Sequence, residues 1–183
     1  MKKAIFFDRD GVINKVVFRN GNYQKPIAPW NINEFKIFPG IKKSFCNLKN
    51  LGFKIFVVTN QPDIAKGIID SCFVSRLNKI ILQELPVDEI AVCPHEDKNM
   101  CDCRKPKPGM IVSLSKKWGV DCKNSFLVGD SWKDIEAGET AQCTTMLLER
   151  HYNTHVKADY KIKNLCQAFE KIRLIIKIYK CIK

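Results

Sequence analysis

The sequence predicts an open α/β fold built on a Rossmann-like, doubly wound parallel sheet, and two observations carry that expectation. Short runs of four to six residues, apolar at consecutive positions, recur along the chain, and amphipathic stretches of helical spacing lie between them. A strand that is apolar on both faces must be covered on both faces, as strands are in a parallel sheet with helices on either side.

The elements follow in order. Ala4-Ile5-Phe6-Phe7-Asp8 reads as the first strand, and Lys54–Thr59 as the second. Glu89–Cys93, Ser125–Gly129 and Thr145–Glu149 complete the set. Helices are expected over 40–51, 71–84, 108–118 and 132–141, with a last one at about 161–182 carrying Ile162, Leu165, Phe169, Ile172, Ile176 and Tyr179. Pro39-Gly40 marks the first helix entry, Asp70 is placed to cap the second helix, and Pro108 to open the third. Gly52 and Gly119 stand where helices stop. Segments 15–39 and 94–107 lack periodicity, and both follow strands, the position from which loops of such folds build sites.

The chain of 183 residues is the length of one domain, and no repeat or linker divides it. One domain over 1–183 is expected, with the chemistry within about 3–150 and the last helix outside it. Asp8, Arg9 and Asp10 interrupt the apolar start too early for a secretory signal, and no run is long enough to span a membrane. A cytoplasmic protein is the expectation. The net charge is +12, mostly from scattered lysines that read as a solvated surface. They are not interleaved with aromatics as a nucleic-acid stripe would be. Six of the nine cysteines (Cys46, Cys72, Cys122, Cys143, Cys166 and Cys181) sit singly in apolar periodic segments and are expected to be buried small hydrophobes.

The strand ends carry the chemistry. Asp8-Arg9-Asp10-Gly11-Val12 places two carboxylates on one side of a strand tip, with a glycine to turn the chain. Thr59-Asn60-Gln61 supplies a hydroxyl and two amides, Arg104-Lys105-Pro106 supplies positive charge, and Gly129-Asp130-Ser131 adds a further acid. Carboxylates, a lysine and hydrogen-bond donors at one sheet edge are the parts of a phosphoryl-transfer site. Between the third strand and Lys105 lie Cys93, His95, Cys101 and Cys103, three thiols and an imidazole within eleven residues. The set can surround one tetrahedral ion; redox chemistry is the weaker alternative, since no C-x-x-C occurs.

Asp8-Arg-Asp-Gly-Val, Thr59, Lys105 and Gly129-Asp130-Ser-x-x-Asp134 resemble, in order, the four motifs of the haloacid dehalogenase superfamily of phosphatases. Asp8 to Asn14, Thr59-Asn-Gln, and Cys93-Pro-His95 running into Cys101-x-Cys103-Arg-Lys-Pro-x-Pro-Gly resemble the branch that holds the heptose bisphosphate and histidinol-phosphate phosphatases. The resemblance implies that Asp8 is the nucleophile and that Asp10 is the acid and base. It further implies that Asp8, Asp130 and the main-chain carbonyl of Asp10 hold Mg²⁺, and that Cys93, His95, Cys101 and Cys103 hold a structural Zn²⁺. Thr59, Asn60, Arg104 and Lys105 would serve the substrate, and Asp134 would brace its loop.

No segment is long enough for a separate cap domain, so an open site for a small phosphate ester is expected. The substrate so implied is a phosphorylated sugar, the 7-phosphate of D-glycero-D-manno-heptose 1,7-bisphosphate, on the way to nucleotide-activated heptose for lipopolysaccharide, capsule or S-layer. The alternatives are histidinol phosphate and a nucleic-acid 3′ end. A monomer is expected, with neither nucleic acid nor membrane as partner. The last helix is expected to pack on the sheet or a partner subunit.

Overall fold

The strand β1 (Ala4–Phe7) is wholly buried and hydrogen-bonds neighbours on both sides, which makes it central. Its alternate side chains enter two cores. Ile5 and Phe7 join Phe45, Leu48 and Ile172 on one face, while Ala4 and Phe6 join Met110, Leu114 and Ala137 on the other. That division is the physical reason for an unbroken apolar run: both faces of the strand are covered. Burying each phenylalanine contributes about 1.5–3 kcal/mol.

The computed structural model describes residues 1–181, with side chains through residue 178. The remaining strands are β2 (Lys54–Asn60), β3 (Glu89–Cys93), β4 (Phe126–Gly129), β5 (Thr144–Leu148) and β6 (Tyr160–Ile162). The sheet order is β3-β2-β1-β4-β5-β6, and every pair is parallel. The helices are α1 (Ile41–Asn50), α2 (Pro62–Ala65), α3 (Ser71–Glu84), α4 (Gly109–Trp118), α5 (Trp132–Thr140) and α6 (Leu165–Cys181). Strand order reverses direction between β1 and β4, the switch point where such sheets open a crevice at their carboxyl ends.

The expected helix signals act as read. The Asp70 side chain accepts from the Cys72 amide at the start of α3, and Gly119 ends α4 in the left-handed region. Asp88 fastens the opposite edge of the sheet: it accepts from Lys49 Nζ at 2.7 Å, Lys54 Nζ at 2.9 Å and the Ile55 amide at 2.8 Å. Burial opposes ionisation of Asp88, but the Ile55 amide and the two lysines prevail and hold its carboxyl below the usual range.

Three expectations need correction. The last helix begins at Leu165, because Tyr160–Ile162 forms the edge strand β6, paired with β5 and held in place by Asp159, which accepts from the Thr145 amide and hydroxyl. The four-residue α2 was not foreseen. Cys46, Cys72 and Cys166 are exposed rather than buried, because they occupy the outer faces of helices whose inner faces hold larger residues; Cys143 is buried and Cys122 half-buried. The side chains of Tyr179 and Cys181, and the expected helix end at 182, lie outside the described residues. Leu165, Ala168 and Ile172 of α6 join the core beneath the sheet, and no helix among the described residues is long and apolar enough to cross a membrane.

Candidate active site and metal-binding clusters

The carboxyl ends of β1, β2 and β4 deliver Asp8, Thr59 and Asp130 to one cavity of about 330 Å³. Asp10, Asn60, Arg104, Lys105 and Asp134 also line it. The segment 15–39 folds back as a loop, with Val17 bridged to Ile27, and lays Lys25, Pro26, Ile27 and Ala28 along the rim. Both aperiodic segments thus reach the site.

Lys105 is the hub. Its ammonium, 3% exposed, donates to Asp8 Oδ1 at 2.7 Å, Asp134 Oδ1 at 2.5 Å and the Val58 carbonyl at 2.7 Å, so all three protons are used. Asn60 fixes the lysine's backbone by donating to the Lys105 carbonyl at 2.9 Å and accepting from its amide at 3.1 Å. Burial alone would lower the lysine's pKa, but Asp134 and Asp8 raise it, so it stays charged. Asp134 also accepts from the Ser131 amide and hydroxyl, which braces the loop after β4 as expected.

The acids outnumber that cation. Carboxylate oxygens of Asp8, Asp130 and Asp134 lie within 4.8 Å of one another. Burial and the Asp134 charge push Asp8 up to about 7, against the pull of Lys105. Burial and the neighbouring Asp8 raise Asp130 well above the carboxylate range. Crowded, buried carboxyls with oxygen donors only are a set that a hard divalent cation would relieve.

Asp10 is held differently. The fully buried Arg9 guanidinium donates to it at 3.0 Å, Asn14 Nδ2 at 2.8 Å and Gln61 Nε2 at 2.7 Å. Gln61 also donates to Thr59 Oγ1 at 2.9 Å. Thr59 therefore accepts from Gln61 and keeps its own proton for another acceptor. Gln61 is wholly buried and faces Asp10 rather than the open cavity. Gly11, at φ +91°, turns the chain beneath this cage, and a side chain there would meet the Asp130 carboxylate.

A second cluster sits in the loop before Lys105. His95 Nδ1 lies 3.7 Å from Cys93 Sγ and 3.4 Å from Cys103 Sγ, while Cys101 Sγ lies 3.6 Å from Cys93 Sγ and 3.4 Å from Cys103 Sγ. Sulfurs so separated are not bonded, and all these thiols are free. A tetrahedron with zinc–ligand bonds of ordinary length has edges of roughly 3.5–3.8 Å, so the donor set fits zinc. Burial pushes the Cys93 thiol up to about 12; burial acts the same way on Cys101, but hydrogen bonds from Cys103 and the Arg104 amide prevail and bring it down to about 7. The helix α4 starts hard against this loop: a Cβ on Gly109 would stand 2.2 Å from the Asp102 carbonyl oxygen. Arg104 donates to Asp97 Oδ1 at 2.6 Å and to the His95 carbonyl at 3.0 Å, so the same loop sets its direction at the cavity edge.

Sequence reasoning gave no role to Arg9 and none to the segment after β5. There Arg150 donates to the Gly11 carbonyl at 2.7 Å, Asn153 donates to the Asp130 carbonyl at 2.8 Å, and the Tyr152 hydroxyl donates to Asp130 Oδ2. No periodicity or spacing marks these residues, because only the parallel crossover to β5 brings them beside β1 and β4. Within segment 15–39 Lys25 lines the rim, Arg19 pairs with Glu34, and the Trp30 indole donates to Asp63, while Asn14 just before it is buried against Asp10.

Comparison with known proteins agrees with this geometry. Residues 17–142 match the model of the haloacid dehalogenase-like hydrolases. The chain is 40% identical over 151 residues to the D-glycero-α-D-manno-heptose-1,7-bisphosphate 7-phosphatase of Photorhabdus laumondii, covering 76% of this chain and 78% of that protein. It is 34% identical over 152 residues to the corresponding β-anomer phosphatase of Rhodopseudomonas palustris, covering 76% and 79%. Among solved structures, the D,D-heptose 1,7-bisphosphate phosphatase from B. bronchiseptica, complexed with magnesium and phosphate, superimposes with a TM-score of 0.81 at 25% identity, covering 94% of this chain and 98% of that one. A parallel sheet with its acids at the switch point, and a family match across more than half the chain, lead to one conclusion: the chain belongs to the haloacid dehalogenase-like hydrolases.

Proposed function

We propose that the chain is a Mg²⁺-dependent phosphatase removing the 7-phosphate of D-glycero-D-manno-heptose 1,7-bisphosphate through a phosphoaspartate on Asp8. The observation that carries the reading is the ammonium of Lys105 held between Asp8 and Asp134 at the floor of a cavity that Asp10 and Asp130 also line. The names of the relatives supply the substrate.

Asp8, Asp130 and the main-chain carbonyl of Asp10 would hold the Mg²⁺, which when bound offsets the charge that keeps a carboxylate and a phosphate dianion apart. Asp8 attacks phosphorus, the ester bond breaks, and Asp10 gives the leaving alkoxide its proton. Asp10 then takes a proton from the water that cleaves the phosphoaspartate, so acid and base are one residue. Arg9, Asn14 and Gln61 keep its carboxyl aimed through both steps. Thr59 donates its free proton, and Lys105 its charge, to the transferring oxygens.

Cys93, His95, Cys101 and Cys103 would hold a structural Zn²⁺ that stiffens the loop and so aims Arg104 and Lys105. Arg104, Lys25, Lys66 and Lys133 give the cavity a cationic rim suited to a second phosphate. The setting we infer is a cytoplasmic monomer of one domain over 1–183, serving lipopolysaccharide or related heptose precursors. Phosphate release across heptose 1,7-bisphosphate, histidinol phosphate, fructose bisphosphate and a 3′-phosphorylated oligonucleotide tests the assignment. Heptose bisphosphate should be hydrolysed best; faster release from histidinol phosphate or the oligonucleotide would overturn it.

A further inference from the structure

We propose that Tyr152 is a positioning residue that confines Asp130 to single-oxygen ligation and so makes the site favour Mg²⁺ over Ca²⁺. The inference rests on the metal reading given above. Two contacts fix Asp130 from the segment after β5: the Tyr152 hydroxyl donates to Oδ2, and Asn153 Nδ2 donates to the main-chain oxygen at 2.8 Å. Asn153 in turn is anchored by a second bond to the Leu148 carbonyl, at 2.9 Å, and its side-chain oxygen accepts from the Arg150 amide at 2.8 Å. Asp130 Oδ1, by contrast, receives no hydrogen bond among the described residues, and Asp130 faces the cavity.

The phenol therefore occupies one carboxylate oxygen and leaves the other to a cation. The pairing depends on a glycine at position 11, since a Cβ there would stand 1.9 Å from Asp130 Oδ2 and 3.1 Å from the Tyr152 hydroxyl. Tyr152 cannot easily swing away, because its ring packs edge-on against Phe18 and His151, and His151 is itself bonded to the Tyr23 carbonyl at 2.7 Å. Mg²⁺ takes near-ideal octahedral ligands at short distance, one oxygen per carboxylate, whereas Ca²⁺ accepts two-oxygen ligation and larger coordination numbers. Removing the phenol's claim on Oδ2 frees the second oxygen and favours the larger ion.

The test is calorimetric titration of the full chain with Mg²⁺ and separately with Ca²⁺, without substrate, for the wild type and Tyr152→Phe. The phenylalanine keeps the ring and its packing, and an unchanged thermal midpoint without metal checks that it does. Expected are Mg²⁺ binding weaker by about tenfold and Ca²⁺ binding unchanged or tighter. Equal losses for both ions would show a merely structural residue, and no change would show an idle one; either overturns the proposal. A wild type that binds neither ion would overturn the metal reading itself and this inference with it. Tyr152→Leu, if folded, should give the same change in ion preference.

Discussion

The ammonium of Lys105 lies 2.7 Å from Asp8 Oδ1, although 97 residues separate the two in sequence. The contact joins the end of the first strand to the loop that holds the cysteine cluster, so Asp8 and the cluster's geometry are coupled through one side chain. Asp134, on the far side of the ammonium, completes a buried acid–base–acid row.

Lys105→Met should leave Asp8 and Asp134 buried without their counter-charge. Breaking such a pair by removing one partner costs about 3–5 kcal/mol, and turnover should fall by at least about 10² with loss of the charge proposed to act on the transferring oxygens. Urea denaturation and phosphate release check both. A variant as stable as the wild type would show that the row is not held by charge.

The cysteine cluster yields a separable expectation. Cys101→Ser or Cys103→Ser should lose zinc, measured by metal analysis of the purified chain, and lower activity by misplacing Arg104 and Lys105. The Mg²⁺ concentration for half-maximal rate should stay the same. Zinc-free wild-type protein with all four side chains reduced would contradict the site.

Proton and metal should compete for Asp8. Its carboxyl is raised from an ordinary 3.8 to about 7, chiefly by burial and then by Asp134. Between those values the folded metal-free chain holds a proton that the unfolded chain has lost. Asp8 therefore removes stability as pH climbs through that window, and the loss levels off above about 7. A bound divalent cation replaces the proton. The rise in thermal midpoint on adding Mg²⁺ should accordingly be larger at pH 8 than at pH 6, and equal rises would contradict competition at this carboxyl.

Much of this was legible in the sequence, and the boundary has physical causes. Strand runs such as Ile5–Phe7 announce themselves because both faces are buried, and Asp8, Thr59 and Asp130 stand at the ends of such runs, while Lys105 closes the aperiodic loop after the third. The cluster Cys93, His95, Cys101 and Cys103 is local, so spacing alone brought it together. β6 was missed because three residues with one exposed face carry little pattern. Tyr152 was missed because sheet order, not local spacing, sets its partner, and Arg9 because nothing in the sequence around Asp10 shows that its guanidinium is fully buried.

Charge at the rim should set substrate preference. A bisphosphate presents a second dianion to Arg104 and Lys25, whereas histidinol phosphate presents an ammonium. The ratio of kcat/KM for the bisphosphate over histidinol phosphate should therefore exceed one and shrink as salt shortens the screening length to about 3 Å at 1 M. Arg104→Ala should reduce that ratio. A ratio indifferent to salt and to this substitution would remove the rim from recognition.

The most direct test is phosphate release from heptose 1,7-bisphosphate by Asp8→Asn in saturating Mg²⁺. The amide matches the carboxylate in size but cannot attack phosphorus, so turnover should fall by about 10³ or more while the thermal midpoint shows a folded chain. Turnover near that of the wild type, in a folded variant, would contradict a phosphoaspartate at Asp8.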